Sequence, residues 1–253
     1  MTSAETKPRD LSNILNETFR VYKANFIRLI AIVAIVEVIL FAIGAIVSTI
    51  MGRRLAVPFW EWEEWVVEDV GLLIVSLVII LLSSFVLYSL MEGALIHAIT
   101  KQYTKHPVEI VKAYIFAWRR IGALLGAMLL AGIVVIAMAI TIIGIPFAVY
   151  FGIRWFGIAQ AVILEAKSPR EALSRSSDLV KNTWWRVFGI LIVVGLIAGA
   201  IGGILGITAG LIPWIGQSLV TMLVMPIGVI GATLLYYDLV FRKEGCSLET
   251  MTR

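Results

Sequence analysis

Six apolar runs, each long enough to cross a lipid bilayer, dominate this 253-residue sequence. A membrane-spanning helix needs about 20 consecutive apolar residues. The runs lie at residues 26–50, 70–99, 121–143, 145–164, 186–211 and 214–241. The bilayer core contains no water, so every backbone polar group there must be hydrogen-bonded within the protein. The sequence therefore predicts an all-α integral membrane bundle of six transmembrane helices within residues 11–241.

Composition supports this class of protein and excludes others. The chain is 60% hydrophobic and 15% charged, whereas a soluble domain carries about 25% charged residues. The net charge of +4 comes from basic residues that flank apolar runs, so we predict no nucleic-acid binding. A single cysteine, Cys246, excludes an intramolecular disulfide and a cysteine-based metal cluster. We predict no metal site and no cofactor.

The stretch from Ser168 to Ile190 is typical of a surface helix that leads into a spanning helix. Ser168 and Glu171 have the spacing of a capping box, and Pro169 suits the first helical position. Apolar and small residues recur at helical spacing on one side, and charged residues occupy the other. The sequence therefore predicts an amphipathic helix at the membrane interface, followed by a transmembrane helix.

Two earlier stretches have a similar pattern, one after Asp10 and a weaker one after His106. Each is followed by two apolar runs. The sequence predicts three parallel repeats over residues 11–100, 106–165 and 168–241, with three interfacial amphipathic helices. Chance recurrence of a generic amphipathic pattern is the alternative interpretation.

Basic residues also predict how the chain crosses the membrane. Of the 21 Lys and Arg residues, only Arg53 and Arg54 lie in a loop on the opposite side from the others, and Arg154 lies within a span. The positive-inside rule then places both termini and the three interfacial helices in the cytoplasm. Residues 1–10 are predicted to be a disordered tail, and residues 242–253 a cytoplasmic tail.

Two charged residues lie near the middle of predicted spans and are candidates for a functional site. At about 1.5 Å per residue, Glu37 and Arg154 would both lie roughly 13 to 17 Å deep. Because an unpaired charge at mid-bilayer is costly, we predict that Glu37 and Arg154 form a buried pair. Its role is either packing alone or the binding and transport of a solute; the alternative to the pair is a protonated Glu37 that is hydrogen-bonded to a neighbour.

Three further features of the spans are candidates for structural roles. Asp238, near the end of the last span, is predicted to bind Arg175 or Arg186 and to lock a surface helix to the bundle; a pair with Arg242 is the simpler alternative. Pro226 and Gly228 mark a kink or hinge in the sixth span. Glycines at four-residue spacing in the fifth span predict close helix contact.

Three stretches carry a resemblance to a known family: ILNETFRVYKANF, SPREALSRSSDLVKNTWWRVFGI and the C-terminal run LLYYDLVFRKEGCSLE. Together they resemble the glycerophosphoryl diester phosphodiesterase membrane-domain family of prokaryotic multi-pass proteins. The resemblance implies a stand-alone membrane module in a prokaryotic plasma membrane. The metal-binding motifs of the soluble phosphodiesterase domain have no match in this chain, so that activity is not implied.

These features lead to a prediction about function. We expect a non-catalytic membrane module that contacts anionic lipid of the cytoplasmic leaflet. A protein partner or a homo-oligomer is also compatible with the sequence. The alternative is a transporter or channel for a small anionic or lipid-derived solute, with Glu37, Arg154 and Pro226 as its working parts.

Overall fold

Ten α-helices make up the computed structural model, which describes residues 10–55, 62–103, 109–209 and 216–245. No strand occurs within those ranges. The helices are α1 (Leu11–Ala24), α2 (Phe26–Leu55), α3 (Trp62–Tyr103), α4 (Ile110–Arg119), α5 (Ile121–Ala139), α6 (Ile145–Arg154), α7 (Ile158–Glu165), α8 (Pro169–Val180), α9 (Trp184–Ala209) and α10 (Gly216–Glu244).

Among the described residues, six segments are long and apolar enough to span a membrane, which confirms the predicted all-α six-span architecture. They are Phe26–Ile50, Val70–Gln102, Ile121–Ala139, Ile145–Glu165, Trp184–Ile207 and Gly216–Glu244. The last span continues three residues beyond its predicted end, so the first residues of the predicted C-terminal tail are helical. The predicted N-terminal tail, apart from Asp10, and residues 246–253 lie outside the described residues.

Three short helices, α1, α4 and α8, each precede a pair of spans, and we call them the connecting helices. Each has a buried side formed by small or apolar residues; in α8 it includes Ala172, Ser176 and Leu179. The backbone N–H of Ser168 donates to Glu171 at 2.9 Å, as the capping box requires, and this hydrogen bond lowers the pKa of Glu171. The order of elements fits three units, whereas their structural equivalence stays a prediction.

The core lies toward the end of the bundle that carries the connecting helices. On α2 the buried side chains are Leu29, Ile32, Val33, Val36 and Glu37, which lie on one face of the helix. In α10, nearly every residue from Val229 to Val240 is buried, so this half of the helix forms the centre of the protein. Helices α1, α2, α3, α8 and α9 all pack against α10.

The part of α2 after Glu37 and the part of α3 before Tyr88 lie outside the core. Most apolar side chains of the outer half of α2 and of residues 70–82 of α3 are exposed. In a bilayer, these faces contact lipid. Helix α3 begins at Trp62 and continues through the second span as one helix.

The fourth span contains a break that the sequence analysis missed. Helix α6 ends at Arg154, and α7 begins at Ile158 after a turn that includes Gly157. A Cβ atom on Gly157 would lie 2.8 Å from the ring of Tyr236, so only glycine allows this close approach. In contrast, α10 remains one helix through Pro226, and the described backbone has no break at the predicted hinge of Pro226 and Gly228.

Among the described glycines of α9, Gly202 alone contacts α10, where an added Cβ would lie 3.6 Å from Val224, an ordinary van der Waals distance. Gly195, Gly199, Gly203 and Gly206 face open space, where an added Cβ would meet nothing within 4 Å. The tight approach of α9 to α10 depends instead on Gly231 of α10, whose Cβ would lie 2.8 Å from Val194. The four-residue glycine spacing of the fifth span therefore did not identify Gly231, the glycine that makes the tightest approach between α9 and α10.

Candidate functional site

The predicted Glu37–Arg154 pair is wrong, because each residue has a different partner. Glu37 is only 4% exposed, and it accepts a hydrogen bond from the Tyr88 hydroxyl of α3 at 2.9 Å. The Arg154 guanidinium donates to the Tyr150 hydroxyl, one turn earlier on α6, at 3.2 Å. The buried carboxylate is thus satisfied by a neutral donor at the outer limit of the core.

Replacing Tyr88 by Phe tests the importance of this hydrogen bond. The variant retains the ring but removes the donor to a buried carboxyl group, so we expect the free energy of unfolding to fall by about 1 to 3 kcal/mol. Denaturant titration in one fixed micelle measures this change. Replacing the exposed Tyr150 by Phe is the matched control, and an equal effect of both substitutions would contradict the role of the Glu37 contact.

Arg154 lies beside the start of α9. The Trp184 indole, in the first turn of α9, donates to the Tyr150 carbonyl at 3.2 Å. The Ser176 hydroxyl of α8 donates to the Arg154 carbonyl at 2.9 Å. These contacts hold the end of α6 against α8 and the first turn of α9. The predicted depth of Arg154 assumed one straight helix through the fourth span, whereas α6 ends at this residue.

Asp238 of α10 binds two arginines, one of which, Arg186, belongs to α9. Its carboxylate has no exposed surface and accepts hydrogen bonds from Arg186 at 2.7 Å and from Arg242 at 2.9 Å. Both partners proposed from the sequence, the interhelical one and the intrahelical one, are therefore present at once. Arg186 belongs to α9, however, so this contact does not itself hold the connecting helix α8.

A second charged cluster holds α8, and it contains the other predicted arginine, Arg175. The Arg175 guanidinium donates to both carboxylate oxygens of Glu165, at 2.8 and 3.0 Å, and also to Glu244 of α10. The Tyr236 hydroxyl donates to Glu165 at 2.6 Å. The hydrogen bond to Glu244 is the main cause that raises the pKa of Arg175. Arg175 thus links α7, α8 and α10 instead of binding Asp238.

Lys243 binds the C-terminal end of α8. Its ammonium group donates to the carbonyl of Asp178 and, at 2.9 Å, to that of Lys181. These carbonyls lie at the C-terminal end of α8, where a cation satisfies free acceptors and interacts favourably with the helix dipole. Helix α8 is consequently fixed to α10 at more than one point.

Arg120, which no sequence pattern singled out, anchors the end of α7. Arg120 donates to the carbonyls of Val162 and Ile163 at 2.8 and 2.9 Å, and its guanidinium lies 4.7 Å from the ring centre of Phe116. Burial lowers the pKa of Arg120. An arginine that follows a helix and precedes a span gives no signal of which carbonyls it will reach.

Two tyrosines fix the other connecting helices in a similar way. The Tyr22 hydroxyl of α1 donates to the Leu223 carbonyl of α10 at 2.9 Å, in the turn that precedes Pro226. The Tyr114 hydroxyl of α4 donates to the Ile32 carbonyl of α2. Burial raises the pKa of both tyrosines. Each connecting helix is therefore attached to a span by at least one polar side chain.

The chain forms a six-span all-α membrane protein, and its polar side chains converge at the end that carries the connecting helices. Within the part of the chain that the structure describes, no three His, Cys, Asp or Glu residues are grouped as metal ligands. Comparison with protein-family models, curated proteins and solved structures finds no match. The resemblance to the phosphodiesterase membrane-domain family stays a prediction.

Proposed function

We propose that the protein is a non-catalytic membrane module that presents a rigid basic surface to anionic lipid in the cytoplasmic leaflet. In this proposal it lies in a prokaryotic plasma membrane with both termini in the cytoplasm. The three connecting helices then lie at the membrane interface, as the charge distribution along the chain predicts. The family resemblance implies the same kind of stand-alone module.

The observation that carries this proposal is the attachment of α8 by Arg175 and Lys243. Those two cations donate hydrogen bonds to acceptors within the protein, whereas other basic side chains of the connecting helices and their junctions point outward. The exposed ones include Lys23, Arg28, Arg119, Arg170 and Lys181. Exposed cations attract anionic headgroups. Because the helices that carry these cations are already held in place, lipid binding does not require those helices to lose further conformational entropy.

The transport alternative has less support from the contacts. Its three predicted working parts were Glu37, Arg154 and a break at Pro226. Arg154 contacts Tyr150 and lies beside α9, and α10 continues through Pro226. Glu37 alone retains the position that a solute or proton site within the membrane requires.

Lipid analysis tests the proposed function. Protein extracted with its surrounding lipid, from membranes that contain anionic and zwitterionic phospholipids, should be enriched in anionic lipid by about fivefold, because each basic residue near an anionic surface contributes about 1 kcal/mol. The enrichment should fall when Arg170 and Lys181 are both replaced by Gln, and also at high salt.

Two results would count against the proposal. One is a bound lipid composition equal to that of the bulk membrane. The other is solute flux into proteoliposomes that is abolished by Glu37→Gln, which would favour the transport alternative.

A further inference from the structure

A cation without a carboxylate partner lies at the junction of α6, α8 and α9. No carboxylate of the described residues lies within ion-pair distance of Arg154, whose side-chain contact is the hydrogen bond to Tyr150. Arg120, Arg175 and Arg186, which also lie where helices meet, donate instead to carbonyls or carboxylates. Arg154 therefore differs from the arginines that hold the fold together.

Tyr150 adds a second donor beside this cation. Because its hydroxyl oxygen accepts from Arg154 at 3.2 Å, the hydroxyl proton points to another acceptor, and the described residues supply none. Tyr150 is 40% exposed, so a ligand can reach it. A guanidinium and a hydroxyl donor side by side match the oxygens of a phosphate group.

The surrounding side chains resemble a membrane interface. Trp184 is stacked between Tyr150 and Phe188, with ring centroids 5.7 and 5.1 Å away. Trp185 packs edge-on against Trp184 and is 77% exposed. Tryptophan and tyrosine favour the headgroup level of a bilayer, where one side of the ring is apolar and the other is hydrated.

The apolar surface next to the cation suits acyl chains. Phe147 lies one turn before Tyr150 on the same face of α6 and is 56% exposed. Ile192 and Leu196 of the neighbouring α9 are also exposed. A molecule with a phosphate at Arg154 and hydrocarbon along Phe147 would satisfy both parts of this surface.

We propose that Arg154 and the Tyr150 hydroxyl bind the phosphate of one anionic phospholipid, whose acyl chains lie along the exposed apolar side chains of α6 and α9. This inference rests on the proposed function and assigns a defined site within it. The simpler explanation of Arg154 is a favourable interaction with the C-terminal dipole of α6. That explanation predicts that any cation would serve and that no lipid is retained.

The test uses the full chain in nanodiscs of phosphatidylcholine with a minority of phosphatidylglycerol, followed by native mass spectrometry after mild removal of lipid. Wild type should retain one phosphatidylglycerol molecule. Arg154→Gln should weaken its retention about tenfold, since it removes a charged donor. Arg154→Lys should be intermediate, because lysine keeps the charge but loses the fork of donors.

Two control variants separate this site from the general basic surface. Arg170→Gln removes an exposed cation of α8 and should leave the retained molecule in place. Tyr150→Phe preserves the stacked ring and should reduce retention several-fold, so it provides the measurement even if Arg154→Gln does not fold. Soluble glycerol phosphate should not compete, because the acyl chains contribute to binding.

Equal phosphatidylglycerol retention by wild type, Arg154→Gln and Tyr150→Phe would overturn the site. Displacement of the lipid by soluble glycerol phosphate would overturn its assignment to a phospholipid. A lipid that depends on Arg154, without general enrichment of anionic lipid, would leave the site standing and count against the proposed function. The reverse result would leave the proposed function standing without this site.

Discussion

Replacing Asp238 by Ala should lower the free energy of unfolding by about 2 to 3 kcal/mol. The Asp238 carboxylate is fully buried and serves Arg186 and Arg242 at once. Its loss removes a buried acceptor that two partly buried cations share. The value lies below that for a fully buried pair, because the arginine side chains are 28% and 29% exposed and can reach water. Denaturant titration in one fixed micelle measures the change.

Asp178→Ala is the matched control, since the exposed Asp178 contributes its backbone carbonyl, not its carboxylate, to the contact with Lys243. Adding Arg186→Met to Asp238→Ala should recover part of the stability, because it removes one of the two cations that lost the Asp238 carboxylate. If Asp238→Ala and Asp178→Ala are equally stable, Asp238 does not hold α9 to α10.

Gly157→Ala should destabilise the protein by about 1 to 3 kcal/mol, through overpacking. The added Cβ would lie 2.8 Å from the ring of Tyr236. That ring is fully buried, and its hydroxyl is held by Glu165, so it has little freedom to move. The thermal unfolding midpoint, measured in the same lipid for both proteins, should fall accordingly.

Gly152→Ala provides the comparison, because an added Cβ there meets nothing within 4 Å, and alanine favours the helix by up to about 1 kcal/mol. Tyr236→Leu should reduce the cost of Gly157→Ala, giving a non-additive double-mutant cycle. Strictly additive effects would show that the ring is not what excludes the side chain at position 157.

Most of the fold could be predicted from the sequence because the relevant signals are local. Long apolar runs specify spans, and Ser168 and Glu171 specify the start of α8 through groups three residues apart. The break after Arg154 gave a weaker signal. The run 145–164 is nearly uniformly apolar, and Gly157 is needed for contact with a helix about 80 residues later.

The site was harder to predict because its contacts join distant residues. The sequence indicated that the side chain of Glu37 needs a polar partner within the protein. That partner is the hydroxyl of Tyr88 on the next helix, a neutral donor that no charge pattern identifies. Arg175 could pair with several carboxylates, and its choice of Glu165 and Glu244 follows from the packing of α7 and α10 against α8. Residue type specifies the need for a partner, and packing selects it.

The central position of α10 has a consequence for how the protein is made. Five helices that the ribosome synthesises earlier pack against α10, and Tyr22, Thr100, Arg175 and Arg186 all find hydrogen-bond partners on it. Before α10 is inserted into the membrane, these four side chains lack their partners on α10. The spans that are inserted earlier are therefore incompletely packed until then. Insertion of α10, the last helix, then completes the packing of the bundle. This single step distinguishes a completely packed chain from an incompletely packed one, a difference that membrane quality control can detect.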